Sequence, residues 1–144
     1  MVRMEASQLD GFLSKPYLCA FATVGKDGNP HITTIWYLFQ DGHFFHIIYK
    51  DSVKYRNLQR GSNIAVCIHD STEEGTLSAY GKPTTFVTPE DNRYDELHWV
   101  LSRRYFKSDE ETSKYMKDIE DLDLVGVLWK PDKFVGFSTT DPNA

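Results

Sequence analysis

Apolar and polar residues alternate with a strand period over most of this chain and fall into helical spacing in only a few places. Leu9, Phe12 and Leu13 recur at helical spacing between Glu5 and Ser14, and Lys15-Pro16 closes that segment because the residue before a proline is pushed out of the helical region. Leu18 to Val24 reads as an apolar strand, Gly25 to Asn29 as a turn, and Pro30 to Phe39 as a longer strand rich in isoleucine, threonine and aromatic residues. A tight turn at Gln40-Asp41-Gly42 leads into a third strand, His43 to Tyr49, so the pattern predicts an antiparallel meander.

Ser52 to Leu58 reads as one or two helical turns between strands, with Ser52 as N-cap and Gly61 as the left-handed residue past the end. Tyr55 and Leu58 form the face expected to pack downward, and Lys54 and Asn57 the face expected to stay open. Asn63 to His69 is a fourth strand and Asp70 to Gly75 an acidic loop. Thr76 to Val87 is a fifth strand interrupted at Gly81-Lys82-Pro83, where a bulge or close backbone approach is expected. Thr88-Pro89-Glu90-Asp91 reads as the start of a helix running to about Tyr105, with Tyr94, Leu97, Leu101 and Tyr105 as its buried stripe. Ser108 to Glu111 is a capping box for a further helix that uses Tyr115, Met116 and Ile119. Asp123 to Trp129 and Lys133 to Phe137 then return to strand through a turn at Lys130-Pro131-Asp132. The sum is mainly β: a closed antiparallel barrel of six to seven strands decorated with short helices, one domain over residues 1–144.

Composition narrows the partners. A formal charge of −5 argues against a general nucleic-acid binder or an anionic-membrane binder, and 14% aromatic residues point to a large stacking or interface area. Cys19 and Cys67 both sit in apolar β-like runs and read as core. The histidines show no zinc spacing, none is placed to argue for haem, and no signal-peptide or membrane-span stretch is visible, so a cytoplasmic protein without a metal site is expected. No catalytic motif for nucleophilic or metal-assisted hydrolysis can be placed, so any redox or transfer chemistry has to come from a cofactor. The Ser52–Leu58 turn admits two readings: a phosphate site, where free N–H groups and the Lys54 cation converge, or a capped surface turn with solvated charges.

The stretches Phe21-Ala22-Thr23-Val24, Asp27-Gly28-Asn29-Pro30-His31, Trp36-Tyr37 and Ser52-x-Lys54-x-x-Asn57-Leu58 together resemble the pyridoxamine 5′-phosphate oxidase-like split-barrel family, over about residues 9 to 138. Within it the chain is most similar to the small flavin- and deazaflavin-dependent oxidoreductases. The resemblance implies a split β-barrel with Greek-key-like strand order, and a homodimer holding FMN, or alternatively coenzyme F420, between its subunits. It implies an oxidoreductase that moves a hydride between cofactor and a small molecule, or alternatively a non-catalytic FMN-binding or redox-sensing protein. Carried over position by position, Thr33, Thr34, Ile35 and Trp36 line the flavin ring with Ile47 and Ile48 beside them, Ser52, Lys54 and Asn57 match the phosphate turn, and Thr76 contacts the cofactor from the fifth strand. Lys15, Arg103 and Arg104 are candidates for the acidic tail of F420. The basic positions that true pyridoxamine phosphate oxidases carry on the second strand read Thr33 and Leu38 here, and their C-terminal Arg/His motif is missing, so vitamin B6 oxidation is not expected.

Overall fold

The computed structural model describes residues 2–70 and 75–139. Its strands are β1 (Val2–Arg3), β2 (Cys19–Val24), β3 (Pro30–Ile35), β4 (Leu38–Gln40), β5 (His43–Tyr49), β6 (Ile64–His69), β7 (Gly75–Val87) and β8 (Leu124–Ser138). Its helices are α1 (Ala6–Leu13), α2 (Val53–Gln59), α3 (Tyr94–Arg103) and α4 (Asp109–Asp118). The strands form one antiparallel sheet in the order β3-β2-β6-β7-β8-β5-β4, with β1 beside the end of β8, and the sheet curls into a half-barrel. The mainly β, antiparallel split-barrel class is therefore the one the chain adopts. Of the expected loop Asp70 to Gly75, residues 71–74 lie outside the described residues.

The expected meander is broken, and the break is what splits the barrel. Pro30 to Phe39 is two strands: β3 pairs with β2, whereas β4 pairs with β5, and β5 turns its other edge to β8. At Trp36-Tyr37 the chain leaves one ladder for the other, and its backbone groups find side-chain partners instead. The Trp36 carbonyl lies 2.9 Å from His46 Nδ1, and the Tyr37 N–H donates to the Tyr105 hydroxyl at 3.0 Å. That hydroxyl in turn donates to the Tyr17 carbonyl at 2.8 Å. Satisfied buried polar groups let the break persist in the interior.

The other departures have similar causes. The Lys130–Asp132 turn is a bulge inside β8: Tyr80 pairs with Lys133 and Gly81 with Pro131, which leaves Asp132 unpaired. Local turn chemistry is overridden by the long ladder between β7 and β8. The helix expected from Thr88 begins only at Tyr94, because Asp91 N–H bonds back to Thr88 O, and the Asp91 carboxylate accepts from Arg93 N–H and its guanidinium. Ser108 caps α4 through Glu111 N–H, but the Glu111 carboxylate reaches past it to Lys107 N–H, so the box is not reciprocal. Cys67 is exposed rather than core, since Ile64, Val66 and Ile68 take the inner face of β6 and the thiol shares the outer one with Ala65. Cys19 is buried as expected.

Two apolar clusters fill the half-barrel. The larger gathers Phe21, Tyr37, Phe44, Val66, Ile68, Val127 and Trp129 between the sheet walls, and the smaller places Leu38, Phe45 and Val87 under Tyr94 and Leu101 of α3. Gly81 marks the expected close approach: a Cβ built there would lie 2.9 Å from Trp129 Cε3 and 3.0 Å from the Lys130 carbonyl. Gly81→Ala is expected to destabilise the fold by about 1–3 kcal/mol, because one of the two obstructing groups is backbone. A urea midpoint equal to that of the wild type would show that the bulge has room to spare. Among the described residues no helix is long and apolar enough to cross a membrane.

Candidate functional site

A cavity of about 410 Å³ opens between the split edge of the sheet and the α3–α4 pair. One wall is Thr34, Ile35 and Trp36 from the end of β3 with Ile47, Ile48 and Tyr49 of β5; the facing wall is His98, Leu101 and Ser102 of α3 with Tyr115 and Ile119 of α4. Leu18, Leu122 and Leu124 complete it, so among the described residues no carboxylate, lysine or arginine lines the space. Its size is that of a small-molecule site, and its character is apolar with a few hydroxyls and one imidazole.

Local packing fixes the Trp36 ring. It stacks on Tyr105 with centroids 4.4 Å apart and planes within 5°, and Phe106 and Tyr115 close around it at 5.8 and 5.4 Å. Tyr105 is held by its hydroxyl contacts at the strand break, so the element that splits the barrel also orients the aromatic wall of the cavity. Beneath it, His46 is fully buried between the Trp36 carbonyl and Trp129 Nε1–H, which donates to His46 Nε2 at 2.9 Å. The two contacts select the neutral tautomer with the proton on Nδ1, and burial lowers the imidazole to about 4.

The Ser52–Leu58 turn forms as expected and stops as expected. The Ser52 hydroxyl accepts from Tyr55 N–H at 3.2 Å, and Gly61 (φ +96°) places its own N–H on Leu58 O and that of Ser62 on Asn57 O. Its open face, however, is smaller than the spacing predicts. Asn57 is 1% exposed; its amide donates to Thr23 Oγ1 at 3.0 Å and its oxygen accepts from Arg60, so the side chain pins α2 to β2. The Ser52 proton goes to the Tyr49 carbonyl at 2.7 Å. Lys54 is half-buried, no carboxylate pairs with it among the described residues, and desolvation depresses its ammonium below the usual lysine range.

Of the other predicted positions, Thr33 has a buried Oγ1 without a hydrogen-bond partner among the described residues, although its side chain does not line the cavity. Thr76 of β7 pairs with His69 of β6, with Oγ1 3.7 Å from Cys67 Sγ, and is not part of the cavity wall either. Thr34, Ile35, Trp36, Ile47 and Ile48 are thus brought together, while Thr33, Ser52, Lys54, Asn57 and Thr76 stand outside that wall. Arg103 and Arg104 are engaged elsewhere. Arg103 holds Asp109 at 2.7 Å and the Phe106 carbonyl, and Arg104 reaches the carbonyls of Leu13, Ser14 and Lys15 at the end of α1 while its guanidinium lies 4.9 Å over the Tyr37 ring.

The family model for pyridoxamine 5′-phosphate oxidase matches residues 6–127. The chain belongs to this family. No curated protein sequence matches it, and the comparable solved structures share the family's fold at low identity. A conserved hypothetical protein from Mycobacterium tuberculosis superposes with a TM-score of 0.75 at 23% identity, covering 98% of this chain and 95% of that one. An F420 reductase does so at 0.67 and 19% identity, over 87% of this chain and 94% of that one. The heme storage protein HutZ from Vibrio cholerae gives 0.72 and 15%, with 92% and 93% covered.

Membership in the pyridoxamine 5′-phosphate oxidase family does not single out the α3 side of the cavity, which sequence reading missed. His98 is 4% exposed and burial lowers its imidazole to about 4; Ser102 is 1% exposed and its hydroxyl has no partner among the described residues. Their signal in the sequence is position: both fall within the stripe that Tyr94, Leu97, Leu101 and Tyr105 define, where a polar residue has to be explained.

Proposed function

We propose that the chain is an oxidoreductase that holds FMN, with coenzyme F420 as the alternative, and uses it on a small uncharged molecule. The observation that carries this reading is the cavity, a space with flat aromatic and aliphatic walls and no charge among the described residues, bounded by Thr34, Ile35, Trp36, Ile47 and Ile48, which the family resemblance assigns to a flavin ring. Such walls fit an uncharged ring system and exclude a phosphate, which therefore has to lie outside them. Lys54 fits that phosphate: it is a half-buried cation without an acidic partner among the described residues, on the helix that follows β5. Ser52 and Asn57 fit it less well, since their donors are already committed.

When bound, a flavin or deazaflavin supplies reversible hydride transfer. The residues of this chain orient and exclude. Trp36, locked by Tyr105, presents a fixed stacking surface, Ile47 and Ile48 keep water from the ring, and the α3–α4 wall closes the far side. With Arg103 and Arg104 engaged, two of the three cations considered for the acidic tail of F420 are spent, which favours FMN. The F420 reductase among the structural neighbours supports the alternative through the fold alone. Leu38, 5% exposed in the smaller core cluster, offers no cation to a pyridoxamine phosphate, which argues against that compound as the substrate.

The absorbance spectrum of the purified protein, followed by titration with FMN and with F420, tests the proposal. Bound flavin that is reduced by NAD(P)H and reoxidised by a small acceptor is the expected result. Uptake of neither cofactor overturns it, a Soret band would transfer the site to haem, and tight flavin binding without turnover would leave a binding protein.

A homodimer belongs to the same proposal. Thr76 is outside the cavity of its own chain, β3 is an unpaired sheet edge among the described residues, and Ile32 (65% exposed), Val24 and Leu18 leave apolar surface beside it. A second subunit packed there would cover the edge and bury that apolar surface. Light scattering is expected to return twice the chain mass, and a monomer that still binds flavin tightly would contradict it.

A further inference from the structure

The geometry points to a second specificity in this cavity: its α3 wall is built to hold the carbonyl oxygen of an uncharged, planar, largely apolar molecule, with Ser102 and His98 as the two donors. That this molecule is the substrate rests on the reading above; that it binds does not.

Three observations carry the inference. First, Ser102 Oγ is buried and has no hydrogen-bond partner among the described residues, although a serine inside a helix can return its proton to the carbonyl one turn back. A buried hydroxyl left unpaired is costly, which argues that a ligand completes it. Second, His98 lies one turn before it on the same helix face and lines the same cavity. Burial keeps its ring neutral at ordinary pH, so it offers one N–H and no charge. Third, every other lining group among the described residues is uncharged, and Trp36 and Tyr115, in mutual contact at 5.4 Å, give the cavity one continuous aromatic surface against which an aromatic or conjugated body would lie.

Charge decides against a carboxylate or phosphate ligand, because neither Ser102 nor a neutral imidazole can balance a desolvated anion. The presence of two donors one helical turn apart decides for a carbonyl, whose oxygen accepts twice and brings no competing proton.

Isothermal titration calorimetry of the cofactor-free protein with three matched probes tests this: methyl naphthyl ketone, ethylnaphthalene and naphthoate, substituted at the same ring carbon. The ketone is expected to bind about tenfold tighter than the hydrocarbon, and naphthoate at least about a hundredfold weaker than the ketone. Ser102→Ala should erase most of the ketone's advantage while leaving ethylnaphthalene unchanged, and His98→Phe should reduce it. Equal affinity for ketone and hydrocarbon in the wild type overturns the inference, as does tight naphthoate binding, an undiminished ketone preference in Ser102→Ala, or no heat with any probe. Since no probe needs a cofactor, a ketone preference in a protein that takes up neither FMN nor F420 would remove the oxidoreductase reading and leave this site standing.

Discussion

His46→Ala is expected to cost about 4 kcal/mol or more, enough to bring a domain of ordinary stability close to unfolding at room temperature. The substitution opens a void beside Phe21 and Phe44, whose rings lie 4.9 and 6.0 Å from the imidazole. It also strips two buried groups of their partners at once, the Trp36 carbonyl and Trp129 Nε1–H. His46→Gln separates the two effects, because an amide can still donate to one and accept from the other, and it should lose less than half as much.

The same residue sets an acid limb on stability. Its folded value of about 4 lies below its ordinary value of 6.5, so the unfolded chain takes up a proton that the native state refuses. The contribution is fully present above about 6.5 and is lost as pH falls toward 4, on the order of 3 kcal/mol. His98, whose imidazole burial likewise lowers to about 4, acts in the same direction. The carboxylates of Asp27, Glu90 and Asp91, held down by their hydrogen bonds, lose their contribution only at lower pH. Urea denaturation between pH 7.5 and 4.5 should therefore show declining stability in the wild type and a shallower slope in His46→Gln. A flat wild-type profile over that window would mean that His46 is solvated or already charged.

Much of this fold was legible because the strands that pair on the inner wall carry clean alternation. In β2, Cys19, Phe21 and Thr23 point inward, and in β6 Ile64, Val66 and Ile68 do so. The capped turn at Ser52 and the bulge at Gly81 were legible for a different reason, since both depend on residues within a few positions of themselves. What was not legible depends on partners far along the chain. The break at Trp36-Tyr37 is set by His46 and by Tyr105, and no local feature of an isoleucine- and aromatic-rich run announces it. The Lys130–Asp132 stretch has turn chemistry, yet β7 holds it extended, and Asn57 has the spacing of a surface residue, yet Thr23 draws it inward. The same limit applies to the candidate site: one wall could be carried over from the family resemblance, whereas the α3 wall emerges only once the helix is packed on the sheet.

Lys54→Ala is expected to weaken cofactor binding by roughly 2–4 kcal/mol, about 30- to 1,000-fold, with little change in melting temperature. The structure sharpens this expectation. In the turn as read from sequence, Ser52, Lys54 and Asn57 would share a phosphate, and loss of one would be cushioned by the others. In the folded chain the Ser52 proton is on the Tyr49 carbonyl and the Asn57 amide is on Thr23, which leaves the Lys54 ammonium as the main charge-assisted donor this turn can offer. Its partial burial strengthens the pairing, since desolvation already disfavours the lone cation and an incoming phosphate would relieve that cost. By contrast, the fold asks little of it: α2 is anchored through Asn57, Leu58 and the Tyr55–Phe86 contact, and Lys54 forms no ion pair among the described residues. A solvated lysine would cost about 0.5 kcal/mol or less in stability and nothing in binding. Titrating FMN, and F420 separately, into apo Lys54→Ala decides between the two. Wild-type affinity for both would return this turn to a capped surface element, and a loss for FMN that narrows as salt weakens wild-type binding toward that of the variant would place the phosphate on it by charge.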